Sequence, residues 1–146
     1  MLSAAVTSAR ASEGGGAPWD ICLVDSVGVL AELYAGAALA YVGGGFHRQG
    51  LHSVIEPAAF GVPVIFGPRF AASRDARLLL GAGGAVTAAD RAALERTVRD
   101  WLANDTARAT AGAAARAVVE RGLGAAERSA GLLLDLLEPP AVQPTV

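Results

Sequence analysis

Y-V-G-G-G-F-H-R-Q-G-L-H-S-V-I-E-P-A-A-F-G-V-P-V-I-F-G-P, from Tyr41 to Pro68, reads as strand, glycine-rich loop, short helix, strand and loop. Ala38 to Val42 is an apolar run of strand length, and Gly43-Gly44-Gly45 ends it abruptly. Three glycines in a row remove every Cβ from the turn, so its backbone can take positive φ and approach a ligand closely. A short helix is expected from His52 or Ser53, with Ser53 as its N-cap. Val62 to Phe66 is a second apolar run, set between Gly61 and Gly67-Pro68. A loop at the carboxyl end of a parallel strand, leading into a helix, is where open α/β sheets bind anions and nucleotides. A tight turn that merely needs glycine is the rival reading.

Outward from this stretch the pattern continues. Ile21 to Val24 is a short apolar run expected to be a strand buried on both faces. Asp25-Ser26-Val27-Gly28 follows it, then a helix over Val29 to Tyr34 closed by Gly36. Beyond Pro68 a helix is expected from Arg74 to Leu80, a turn over Gly81 to Gly84 and a last strand at Ala85-Val86. The T-A-A-D sequence at 87 to 90 reads as a capping-box-like helix start. Leu94, Val98, Trp101 and Leu102 then mark one buried face, and Asn104-Asp105-Thr106 breaks and recaps. An Ala-rich helix to Arg121 and a leucine-striped helix halted by Pro139-Pro140 complete the chain.

Glu56-Pro57 is the sharpest chemical pair. A Glu in an otherwise apolar helix beside a glycine loop can accept two hydrogen bonds from a ribose diol, as acidic residues do in dinucleotide folds. That role requires its carboxylate to face the loop rather than bulk water; a solvated surface Glu is the alternative. His47 and Arg48 stand where an anionic ligand would arrive, although His47 also reads as an ordinary exposed loop histidine. Arg69 suits a phosphate or a carboxylate, because its guanidinium fork binds either bidentately.

The order of residues carries a resemblance. V-G-G-G-F at 42 to 46, then G-L-H-S-V-I-E-P-A-A-F-G-V-P-V-I-F-G-P at 50 to 68, with D-S-V-G-V-L-A-E-L-Y at 25 to 34, resembles the donor-sugar half of bacterial 3-deoxy-D-manno-octulosonic acid (Kdo) transferases. These are GT-B glycosyltransferases that move Kdo from CMP-Kdo onto lipid A precursors. The likeness covers about Ile21 to Ala85. It implies an α/β fold, a partial Rossmann-like GT-B donor domain with a short parallel sheet flanked by helices and a helical C-terminal tail. By the resemblance, the donor is held by Val27, Gly28, Gly43, Gly44, Gly45, His52, Ser53, Glu56 and Arg69, with Glu56 on the ribose. Four positions depart from the family pattern: Val29 replaces the usual Glu, Leu51 a Gly, Ser53 an Asn and Ala72 an Asn. The family's general base belongs to an N-terminal acceptor domain with no counterpart in this sequence, so no catalytic residue is assigned here. The chain is expected to bind the donor and to transfer little or no sugar alone, with lipid A precursor or a separate N-terminal domain chain engaged through the missing part. A non-catalytic nucleotide-binding or interaction module and a GT-B transferase using a UDP-sugar are the alternatives.

Composition bounds these readings. The chain has 146 residues, 53% of them hydrophobic, enough for one domain with a core. The expected layout is a flexible lead-in over 1–18, with a frayed helix over Leu2 to Arg10 as an option, a nucleotide-sugar-binding domain over 19–138 and a tail over 139–146. A net charge of −2 argues against nucleic acid, which selects a basic face. No apolar run approaches the ~20 residues of a membrane span, and Met1 to Ala11 lacks the basic start of a signal peptide. The expected location is cytoplasmic, peripheral to the inner membrane in a full-length enzyme. Cys22, alone in the sequence, suits a reducing compartment. Two His and one Glu without ligand spacing give no metal site, and no cofactor beyond the nucleotide sugar is expected.

Overall fold

The computed structural model describes the backbone of residues 8–10 and residues 20–137. The tail beginning at 139, and the rest of the lead-in, lie outside the described residues. The chain divides into two compact units, Met1–Ala37 and Ala38–Val146.

The first unit contains two parallel strands, β1 (Ser8–Arg10) and β2 (Ile21–Leu23), paired in the register Ser8↔Ile21 and Arg10↔Leu23, and a short helix α1 (Leu30–Ala35). Ser8–Arg10 is therefore extended, not helical. The expectation of a strand buried on both faces fails for β2: Ile21 and Leu23 are 54% and 53% exposed. A two-stranded sheet has no interior strand, so an apolar run does not guarantee two covered faces here. Helix α1 begins one residue later than read from the sequence, with Val29 as its N-cap, and is closed by Gly36 as expected.

The second unit is built on a three-stranded parallel sheet of order β3 (Ala40–Val42), β4 (Val64–Phe66), β5 (Ala85–Thr87). The register runs Val42↔Phe66 and Phe66↔Thr87. Parallel neighbours need crossovers, supplied by α2 (Ile55–Ala59) between β3 and β4 and by α3 (Arg74–Ala82) between β4 and β5. Val64, Ile65 and Phe66 are all completely buried, as the unbroken apolar run of a central strand demands. The fold class read from the sequence, a short parallel sheet flanked by helices, is the one observed.

Helix α4 (Arg91–Ala103) starts later than the T-A-A-D pattern suggested. Thr87 is held in β5 by its register with Phe66, so the cap falls to Asp90, whose Oδ1 accepts from the Ala93 N–H at 2.8 Å. The buried face expected of it is not observed: Leu94, Val98 and Trp101 are half-buried, Leu102 is 55% exposed, and no residue of the helix is buried. Helix α3 runs through Gly81 and Ala82 and turns at Gly83, which has φ 78°. Asn104 caps α5 (Asp105–Gly122), and α6 (Ala125–Leu137) follows with its leucines exposed.

Helix α5 packs against both α2 and α3. It presents Ala111, Gly112, Ala115 and Val118, all buried. Small residues let helix backbones approach closely, and here the approach is extreme: a Cβ on Gly112 would overlap the Gly61 carbonyl oxygen. Gly112→Ala should therefore lower stability by roughly 1–3 kcal/mol, although alanine is the better helix former. Gly81→Ala in α3, where a Cβ meets nothing within 4 Å, should instead raise it by roughly 0.5–1 kcal/mol. Urea unfolding midpoints that move in opposite directions for the two variants check both statements.

Candidate functional site

The loops leaving the carboxyl ends of β3 and β4 meet at the sheet edge. Gly44 has φ 89° and Gly50 φ 94°, values that favour glycine. The Gly43 carbonyl accepts from the His52 N–H at 3.1 Å, and the Gly44 carbonyl from the His47 N–H at 3.1 Å. The Gly45 carbonyl accepts from the Arg69 N–H at 2.8 Å, which ties the first loop to the second. A Cβ on Gly45 would stand 2.6 Å from the Gly67 nitrogen, so this glycine serves the crossing of two backbones. The need for glycine inferred from the sequence is real, but at Gly45 the chain itself makes the close approach.

Ser53 does not cap α2. The cap position is Val54, with no side-chain hydrogen bond, and the helix has five residues. The cause is Pro57. An N-cap at Ser53 would need its carbonyl to accept from residue 57, and proline has no N–H to give. Starting at Ile55 puts Pro57 third in the helix, where an N–H has no intrahelical partner in any case. So short a helix has little macrodipole. Its anion-binding capacity rests on individual N–H groups: those of Val54, Ile55 and Glu56, like those of Gly44 and Gly45, have no partner among the described residues.

Of the expected site residues, Gly43, Gly44, Gly45, His52 and Arg69 come together in this loop pair. The His52 ring lies beside the turn, its Cδ2 3.6 Å from where a Gly43 Cβ would stand. Ser53 and Glu56 continue into α2, and both are exposed. Glu56 makes no hydrogen bond or ion pair among the described residues, so the fold itself does not impose the loop-facing orientation its role requires. Val27 and Gly28 belong to the first unit, where Val27 is fully exposed and Gly28 has φ 92°.

A cavity of about 440 Å³ opens beside the loops, lined by His47, Arg48, Gly50, Pro68, Arg69, Ala71 and Ala72. Sequence reasoning put His47 and Arg48 where an anionic ligand would arrive and matched Arg69 to a phosphate or carboxylate, and the structure brings all three to this one cavity. A slightly larger cavity, about 490 Å³, lies between the starts of α2 and α3 and the end of α5. It contains none of the expected site residues, and we attach the site to the smaller one because Arg69 lines it, together with His47 and Arg48 of the loop that follows the glycine turn. Among the described residues no group of three or more His, Cys, Asp or Glu side chains could hold a metal ion.

Over 145 residues, 94% of its length, the chain is 38% identical to a 3-deoxy-D-manno-octulosonic acid transferase of Bordetella pertussis. Over 121 residues it is 36% identical to the transferase of that name from Haemophilus influenzae. Its fold matches the crystal structure of the C-terminal CMP-Kdo binding domain of WaaA from Acinetobacter baumannii, with a TM-score of 0.71 and 26% identity over 78% of this chain and 61% of that one. The chain belongs to the Kdo transferase family. It corresponds to the C-terminal part, and spans 33% of the Bordetella relative and 27% of the Haemophilus one. No family model matches it.

The two serines that flank the site separate capping from binding. Ser73 caps α3 by accepting from the Ala76 N–H at 3.2 Å, and Ser73→Ala should cost about 1 kcal/mol. Ser53→Ala, which removes no cap, should leave the unfolding midpoint where it is. Thermal or urea denaturation of the pair measures the contrast.

Proposed function

We propose that this chain is the donor-binding part of a glycosyltransferase that moves Kdo from CMP-Kdo onto a lipid A precursor in lipopolysaccharide core biosynthesis. The observation that carries the proposal is the match of its fold to a CMP-Kdo binding domain, with the glycine turn and Glu56 beside the sheet edge. Glu56 accepts from the ribose hydroxyls of CMP. The unpartnered N–H groups of Gly44, Gly45 and the first turn of α2 face the phosphate, while His52 and Ser53 border it. Negative charge builds on departing CMP as the glycosidic bond breaks, and fixed N–H donors accept it without reorganising. The reaction needs no divalent ion on this account.

Transfer further requires an acceptor hydroxyl aligned with the anomeric carbon, and that alignment carries much of the rate. No residue described here is placed to provide it, so the partner is an acceptor-binding domain, whether on the same polypeptide or a separate one. The location that fits a nucleotide-activated donor and a lipid acceptor is the cytoplasmic face of the inner membrane, held peripherally; no helix among the described residues is long and apolar enough to cross a membrane.

Calorimetric titration should detect CMP in preference to UMP. Glu56→Ala should weaken CMP at least about tenfold, the loss expected for hydrogen bonds to a charged group. The 146-residue chain mixed with CMP-Kdo and a lipid A precursor should give no product. Absence of CMP binding at millimolar concentration, or wild-type affinity in the variant, would overturn the donor site; turnover by the chain alone would overturn its assignment as a half-site.

A further inference from the structure

The cavity beside the glycine turn is basic in a chain that is acidic overall. His47, Arg48 and Arg69 line it, and no Asp or Glu does. Neither arginine makes an ion pair or a side-chain hydrogen bond among the described residues. By contrast Arg91, Arg108 and Arg116 each pair with an acid on the same helix, Glu95, Asp105 and Glu120. The backbone beneath the cavity is fixed, since the Arg69 N–H donates to the Gly45 carbonyl and the His47 N–H to the Gly44 carbonyl. Ala71 and Ala72 have no polar side chain, so the side chains that an entering anion would find as partners are the basic ones.

The N–H groups that the donor reading gives to the phosphate, on Gly44, Gly45 and residues 54–56, do not line this cavity. The site therefore offers two separate oxyanion positions. A nucleotide monophosphate joined to a neutral sugar fills one; a nucleotide monophosphate joined to an acidic sugar fills both. We infer that the cavity receives the carboxylate of the donor sugar, with Arg48 and Arg69 as the residues that select an acidic sugar over a neutral one. The inference rests on the donor reading above and extends it to the sugar.

Titration of the full chain with CMP and with CMP-Kdo tests it. CMP-Kdo should bind more tightly than CMP, with the difference shrinking as salt screens these exposed charges. Arg48→Ala and Arg69→Ala should each weaken CMP-Kdo about tenfold, the scale of a charge-assisted hydrogen bond, and leave CMP within about twofold. Arg48→Lys should retain part of the selectivity, as a point charge without the fork. Equal losses for CMP and CMP-Kdo would make the cavity a phosphate site, and unchanged affinities would make the arginines idle; either result overturns the inference. Should CMP itself fail to bind, the donor reading falls separately. The cavity is then judged with free 3-deoxy-D-manno-octulosonic acid against its methyl ester, and equal binding of the two overturns it.

Discussion

Everything at the candidate site depends on two backbones crossing where side chains are not allowed. Gly45 follows β3 and Gly67 follows β4, and a Cβ on Gly67 would stand 2.6 Å from the Gly45 carbonyl carbon. Both glycines are buried, and the hydrogen bond from the Arg69 N–H satisfies the Gly45 carbonyl at this closed point. Such contact fixes the relative position of two loops that would otherwise leave the sheet independently. Arg69, two residues beyond the crossing, inherits that fixed position, and so does the turn that carries His47 and Arg48. The constraint is steric more than attractive: its strength lies in how few alternative paths the two loops have.

The crossing is anchored from below by β4. This strand is buried on both faces and continues into a loop whose Phe70 meets Phe66 with ring centroids 5.5 Å apart and planes tilted by 58°. That pair ties the loop bearing Arg69 to the central strand in an arrangement aromatic rings favour. On the helical side, Ala58, Ala76, Leu79, Ala115 and Val118 close one cluster with Val64 and Phe66. Alanine and glycine dominate the inner face of α5 because α2 and α3 both approach it, and larger side chains would push the crossovers off the sheet. The site is therefore a product of packing in which small residues are as necessary as large ones.

Much of this was legible in the chain. The apolar runs before Gly43 and Gly67 are β3 and β4, and Asn104 caps the helix that it was expected to recap. The misreadings share a cause: a local signal was overridden by a neighbour a few residues away. Ser53 has the chemistry of a cap, but Pro57 four residues on cannot supply the first helical bond. Thr87 has it too, but strand pairing with Phe66 claims that residue first. The apolar β2 run indicated strand correctly, yet burial depends on how many strands its sheet has. Arg48 was legible only as a basic residue where an anion would arrive; its sharing of one cavity with Arg69 follows from the Gly45–Gly67 crossing, a contact between residues far apart in sequence.

The same neighbour logic assigns chemistry within the first turn of α2. A carboxylate there and a bound anion at the same N–H groups would repel one another, so Glu56 and a phosphate cannot share one position. Their coexistence is consistent only if neutral hydroxyls lie between them, donating to the carboxylate while the phosphate accepts from the backbone. A ribose monophosphate has that order of groups, diol on one side and phosphate on the other. A free inorganic anion lacks the diol and would meet the repulsion without compensation. On the donor reading proposed above, the short helix, the exposed acid and the unpartnered N–H groups match a nucleotide better than a simple oxyanion, through the alternation of donors and acceptors along a few residues.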